Sequence, residues 1–193
     1  MNLQECHALL AKTLARTTCS APEESPNGRT ARSVIQMASA YESDGKTFFS
    51  RGDPVNALAA FLYGLGWLHC GIASGLLTAR GGRAACPFTG SYNQIMASQQ
   101  EKLDEKTSRY AHLLTTAIAS VSPAPAAGTP SHAFALQVSF IAGLYLQQGN
   151  HQASEGRLEE GLACFSYGHG WLDAGVQSGL FAINAHREIF TVD

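Results

Sequence analysis

A histidine and an aspartate hold the same place in two closely similar stretches of this chain. His69 lies in Gly66-Trp67-Leu68-His69-Cys70-Gly71, and Asp173 in Gly170-Trp171-Leu172-Asp173-Ala174-Gly175. His169 precedes Asp173 by four residues, one helical turn. An imidazole and a carboxylate in contact can act as a general base and the group that orients it. His69, His169 and Asp173 are therefore the candidate catalytic residues, with a purely structural His–Asp contact as the bland alternative. A carboxylate on so apolar a helix needs a partner or a shifted pKa. Tyr63 and Trp67, matched by Tyr167 and Trp171, share a helix face and are candidate ligand-binding residues.

The surrounding stretches are copies of each other. Sliding the chain over itself by 104 residues aligns Ala57–Leu76 with Gly161–Leu180 at 12 identities in 20 positions. The register persists upstream through Pro26/Pro130, Val34/Val138, Ala38/Ala142, Tyr41/Tyr145 and Gly52/Gly156. Residues 1–89 and 105–193 thus form two units, joined by a connection over 90–104 that continues into the next helix. Two copies at this spacing are not a solenoid, whose tetratricopeptide form repeats at about 34 residues.

Each copy reads as three helices, an all-α, up-and-down bundle. Helix one covers Leu3–Thr17, with Leu3, Leu10 and Leu14 on one face. The breaker Ser20–Gly28 ends it, and helix two runs Thr30–Ser50. Gly52-Asp53-Pro54 supplies a terminator, an N-cap and a first-turn proline for helix three, which runs to Ala79 and stops at Arg80-Gly81-Gly82. Copy two repeats the pattern with a helix over Tyr92–Val121, the loop Ser122–Pro130, a helix from there to Ser154 and a last helix over Leu158–Phe190, and no alternating run is long enough for a strand.

Helix three is apolar on every side. Gly64, Gly71 and Gly75 form a narrow stripe repeated by Gly168, Gly175 and Gly179. Interior glycine costs roughly 1 kcal/mol relative to alanine, so the stripe marks close helix packing or a ligand against bare backbone. A single bundle leaves one such face uncovered. The two bundles are expected to pack through their third helices about a pseudo-two-fold axis. In that arrangement His69 and Asp173 are expected to approach each other across the junction.

Composition narrows the function classes. The 193 residues carry 13 Lys+Arg and 15 Asp+Glu, a net charge of −2, with only 15% charged and 45% hydrophobic residues. That balance gives no electrostatic case for a nucleic-acid or anionic-membrane partner. Pro54–Ala79 has no Asp, Glu, Lys or Arg and is long enough to span a bilayer, but Asn56, His69 and four glycines favour a buried helix. The N-terminal stretch lacks the apolar run of a secretory signal. The five cysteines are odd in number and lack C-x-x-C spacing, so a reduced, cytoplasmic protein is expected. No phosphate loop, dinucleotide fingerprint, H-E-x-x-H or G-x-S-x-G motif occurs, and no cofactor or metal is expected. His132 and His151 can meet near a helix end, and Glu101–Lys106 reads as a solvated face of mixed sign.

The segments Ala38-x-x-Tyr41-x-x-Asp44, Gly52-Asp53-Pro-Val-x-Ala57-Leu-Ala-Ala-Phe61-x-Tyr63-Gly-x-Gly-Trp67-Leu and Gly170-Trp-Leu-Asp-Ala-Gly175 resemble the archaeal family known as domain of unknown function 357. The likeness covers both copies. It implies a fused pair of three-helix bundles from an archaeal, cytosolic source, and no activity. Copy one departs from the pattern with His69-Cys70 in place of Asp-Ala. Copy two departs with Arg157-Leu158 after Gly156 and with Gln148 in place of Asp44. If the family's aspartate has a role, only copy two retains it.

The favoured reading is a non-catalytic helical binding or scaffold module, with another protein or a small molecule as partner. One alternative is a small-ligand-binding protein with its pocket between the copies, lined by Tyr63, Trp67, Tyr167, Trp171 and the glycine stripes. The other is an enzyme using the His/Asp pair at the junction. The copies pair within the chain, which is then a monomer or a homodimer.

Overall fold

A computed structural model of the chain describes residues 2–80 and 95–191. Copy one consists of α1 (Leu3–Arg16), β1 (Thr17–Cys19), α2 (Pro26–Ser50), α3 (Pro54–Ala73) and β2 (Leu77–Ala79). Copy two consists of α4 (Gln100–Ala119), β3 (Val121–Pro123), α5 (Pro130–Ser154), α6 (Leu158–Gln177) and β4 (Phe181–Ile183).

Local chemistry explains most boundaries. Asn2 and Glu5 form a reciprocal capping box at the start of α1, satisfying two otherwise orphaned N–H groups. Ser25 accepts from the Gly28 amide and Pro26 opens α2, so the helix begins inside the stretch expected to break it. Asp53 accepts from the Asn56 amide and Pro54 opens α3. Thr129 and Pro130 play the same parts for α5.

The third helices are shorter than expected. Gly75 (φ 77°) and Gly179 (φ 72°) adopt the left-handed conformation that ends a helix, and β2 and β4 follow. Each copy closes on a three-residue antiparallel ribbon, Thr17–Cys19 against Leu77–Ala79 and Val121–Pro123 against Phe181–Ile183. Strands this short leave no alternating pattern to read. The expected helix start at Tyr92, and the glycines of the expected stop, Gly81 and Gly82, lie outside the described residues.

In each copy the third helix packs on the other two, and the most extensive contact in the molecule joins α3 to α6. The 18-residue apolar window of α3 is 89% buried by protein, so its uncharged surface is covered from within. Phe61, Phe165, Trp67, Leu65 and Leu172 are among the buried side chains there. By contrast, α5 has no charged residue between Pro130 and Ser154. It leaves Leu136, Phe140 and Leu144 exposed along one stripe. His132 and His151 sit near opposite ends of α5, about 28 Å apart by helical rise, and do not meet.

Candidate functional site: a buried junction and an aromatic cavity

The crossing of α3 and α6 is built on glycines outside the expected stripe. A Cβ on Gly66 would collide with the Tyr167 carbonyl oxygen, and one on Gly170 with the Tyr63 carbonyl oxygen. Gly64, Gly71, Gly168 and Gly175 instead face their own bundles. Gly64 meets Tyr41 and Leu10, Gly168 meets Tyr145 and Leu114, and Gly71 and Gly175 meet Leu77 and Phe181. Gly75 and Gly179, which were expected to pack, have open space at the Cβ position and serve as helix stops. Side chains of the same copy fill the space a ligand would need along the stripe.

Around the glycine crossing the two helices run antiparallel, and the polar groups follow that geometry. The Tyr63 hydroxyl donates to Oδ2 of Asp173, and the Thr191 amide donates to the same oxygen at 3.2 Å. Three residues on the other side of the crossing, Tyr167 and Nδ1 of His69 are hydrogen-bonded at 2.7 Å. The contacts are related by the 104-residue repeat, tyrosine for tyrosine and aspartate for histidine.

The expected approach of His69 to Asp173 is therefore not found. Antiparallel crossing places equivalent positions on opposite sides of Gly66 and Gly170, about 9 Å apart along the helices by helical rise. Each group takes the other copy's tyrosine instead. Asp173 is fully buried, and its Oδ1 has no hydrogen bond among the described residues. Nε2 of His169 lies 3.7 Å from that oxygen, too far for a direct hydrogen bond, and makes no hydrogen bond among the described residues.

Burial decides the proton states of the neighbours. Desolvation, with the Asp173 charge beside it, holds the Tyr63 hydroxyl well above its ordinary pKa. Tyr63 therefore serves as a hydrogen-bond donor. Desolvation pulls His69 down to about 4, so this imidazole is neutral at physiological pH. It likewise raises the Cys70 thiol.

Beside this junction a cavity of about 390 Å³ opens between the copies. Copy one contributes Tyr41, Asp44 and Phe48 from α2, and Asn56, Ala59, Ala60 and Tyr63 from α3. Copy two contributes Lys106, Tyr110 and Leu113 from α4, and His169 from α6. The small side chains of Ala59 and Ala60 leave the space. The Tyr41 and Tyr63 rings lie 4.4 Å apart, and His169 meets Tyr63 edge-on at 5.6 Å. Burial raises the pKa of both Tyr41 and Tyr110, and burial together with the Arg109 charge lowers that of Lys106.

Of the four aromatic residues expected to line a pocket, only Tyr63 reaches this one. Trp67 is buried in the core, Trp171 packs near the Tyr167 ring at 6.4 Å, and among the described residues both indole N–H groups lack a hydrogen-bond partner. His169, a candidate for catalysis, lines the cavity, whereas His69 does not. Tyr41, Asp44, Lys106 and Tyr110 were not singled out for a site. Tyr41 and Asp44 stand in the segment that carries the family resemblance, and the 41/44 and 106/110 spacings, about one helical turn each, are the further signal. The run Glu101–Lys106 is not simply a solvated face, since Lys106 lines the cavity and Lys102 binds Asp53 at 2.7 Å. Burial works against ionisation of Asp53. The Lys102 ammonium and the Asn56 hydrogen bonds nevertheless hold its carboxyl below the usual value. Among the described residues no group of three His, Cys, Asp or Glu side chains converges for a metal.

No curated protein and no solved structure matches the chain. A protein-family description, Protein of unknown function (DUF357), matches twice, over residues 7–77 and 109–181. These segments fall in the two copies and together cover well over half of the sequence, so the chain belongs to the DUF357 family as a tandem pair.

Proposed function

We propose that the protein is a non-catalytic binding module that takes a small molecule in the cavity between its two copies. The observation that carries this reading is the cavity itself, walled by Tyr41, Tyr63 and Tyr110 at the boundary of the two bundles. A concave, largely aromatic site with a few placed polar groups is the usual form of a ligand pocket, and its size lies near the lower end of the range of about 300–1,000 Å³.

The floor supports binding over acid–base chemistry. The proton of Tyr63 is engaged by Asp173, and burial with that charge opposes its loss. The glycine crossing at Gly66 and Gly170 supports a scaffold role for the junction, which holds the cavity walls in a fixed relation.

The test is a ligand-observed NMR screen of a fragment library against the full chain and against Ala59→Trp, which fills the cavity from its α3 wall. Binding fragments should be found, and most should lose their signal in the variant while its melting temperature stays within a few degrees. An empty screen, or hits indifferent to Ala59→Trp, would overturn the reading.

A further inference from the structure

Two opposite charges stand at this cavity, the exposed Asp44 and the partly buried Lys106, and neither has an ion-pair partner among the described residues. Among the described residues Asp44 forms no hydrogen bond and no ion pair, and Lys106 forms no ion pair. They are not paired with each other. Nearby groups are engaged elsewhere, Lys46 with Glu42 at 3.8 Å and Arg109 with Glu105 at 3.7 Å. The Lys106 ammonium rests 5.9 Å from the centre of the Tyr110 ring, on the same wall.

Resting on the reading of the cavity as a ligand site, we propose that its ligand is a small zwitterion of amino-acid size. The ligand's ammonium faces Asp44 and the tyrosine rings, and its carboxylate faces Lys106. A cation over tyrosine faces gains from the ring quadrupole, more so where water is excluded. A ligand bearing only a carboxylate would meet Asp44 as a like charge, and one bearing only an amine would meet Lys106. A zwitterion answers both, and each mouth charge discriminates against one class of competitor.

The duplication sharpens the argument. At the corresponding positions of the other side, Asp44 becomes Gln148, Lys106 becomes Asn2, Tyr110 becomes Cys6 and His169 becomes Leu65. Asn2 is occupied in capping α1. The tyrosines Tyr41 and Tyr63 recur as Tyr145 and Tyr167, so the shared residues build the fold and the unshared charges mark one side alone.

The experiment is isothermal titration of the full chain with the common L-amino acids and glycine betaine, followed by titration of the best binder's decarboxylated and deaminated analogues. At least one zwitterion should bind, about tenfold or more tighter than either analogue. Asp44→Asn and Lys106→Met should each weaken it about tenfold. Asp44→Asn should leave the deaminated analogue no weaker, and Lys106→Met the decarboxylated one. If no zwitterion binds, if the analogues bind equally well, or if both variants bind as the parent does, the zwitterion proposal is overturned. Fragments still displaced by Ala59→Trp would then keep the cavity as a ligand site, whereas their absence would remove that reading as well.

Discussion

The Tyr63 hydroxyl of copy one donates a hydrogen bond to the fully buried Asp173 carboxylate of copy two. Its repeat-related counterpart joins Tyr167 to His69. One geometry thus serves a buried carboxylate on one side of the crossing and a neutral imidazole on the other. Removing the tyrosine hydroxyl should cost different amounts at the two sites.

Tyr63→Phe leaves Asp173 with the Thr191 amide as its remaining donor. It should destabilise the protein by about 2–3 kcal/mol, because an under-paired buried carboxylate retains its desolvation cost. Tyr167→Phe removes a bond to a neutral imidazole and should cost about 1 kcal/mol. Urea unfolding of both variants measures the difference, and equal losses would contradict the assignment. Adding Asp173→Leu to Tyr63→Phe should recover part of the larger loss.

The buried His69 makes stability depend on pH. Its folded pKa of about 4 lies below the value of about 6.5 for an unperturbed histidine. The unfolded chain therefore binds more protons between these values, and stability rises with pH there. This contribution is fully present above pH 6.5 and is lost as pH falls toward 4, by about 3 kcal/mol in all. Unfolding free energies across that window should fall more steeply for the parent than for His69→Gln. Parallel curves would show that the ring is not held neutral.

Glycine substitutions should separate contact from conformation. Gly66→Ala drives a methyl into the Tyr167 carbonyl, a backbone group that cannot swing aside, and should cost about 3 kcal/mol or more. Gly143→Ala lies inside α5 with open space around it and should stabilise by about 0.5–1 kcal/mol through helix propensity. Thermal unfolding of the two variants should move in opposite directions.

What was legible in the sequence is what local chemistry and repetition encode. The duplicated Gly-Trp-Leu segments, the Asp53-Pro54 start of α3 and the apolar surface of α3 together imply six helices and pairing through the third ones. The crossing itself is a tertiary fact. No spacing distinguishes parallel from antiparallel contact, and only the antiparallel case gives Asp173 to Tyr63 and keeps it from His69. The cavity was hidden for a similar reason. Lys106 and Tyr110 sit on a charged helix of copy two, and only the packing of α4 brings them opposite Tyr41 and Asp44. Trp67 and Trp171, conspicuous in sequence, went to the interior.

Cutting the chain within residues 81–94 should test the mutual dependence of the copies. Each third helix is buried on nearly every side, and its far side is covered by the other copy, so each half alone exposes a large, mostly apolar face. The Lys102–Asp53 ion pair and the Gln99 hydrogen bond to the Gly52 carbonyl also join α4 to the α2–α3 turn across the copies. The first contact is partly exposed and adds little, so the apolar face dominates. Co-expressed halves should therefore sediment as a one-to-one complex in analytical ultracentrifugation. Each half expressed alone should self-associate or precipitate. A soluble monomeric half would show that α3 and α6 do not need each other for cover.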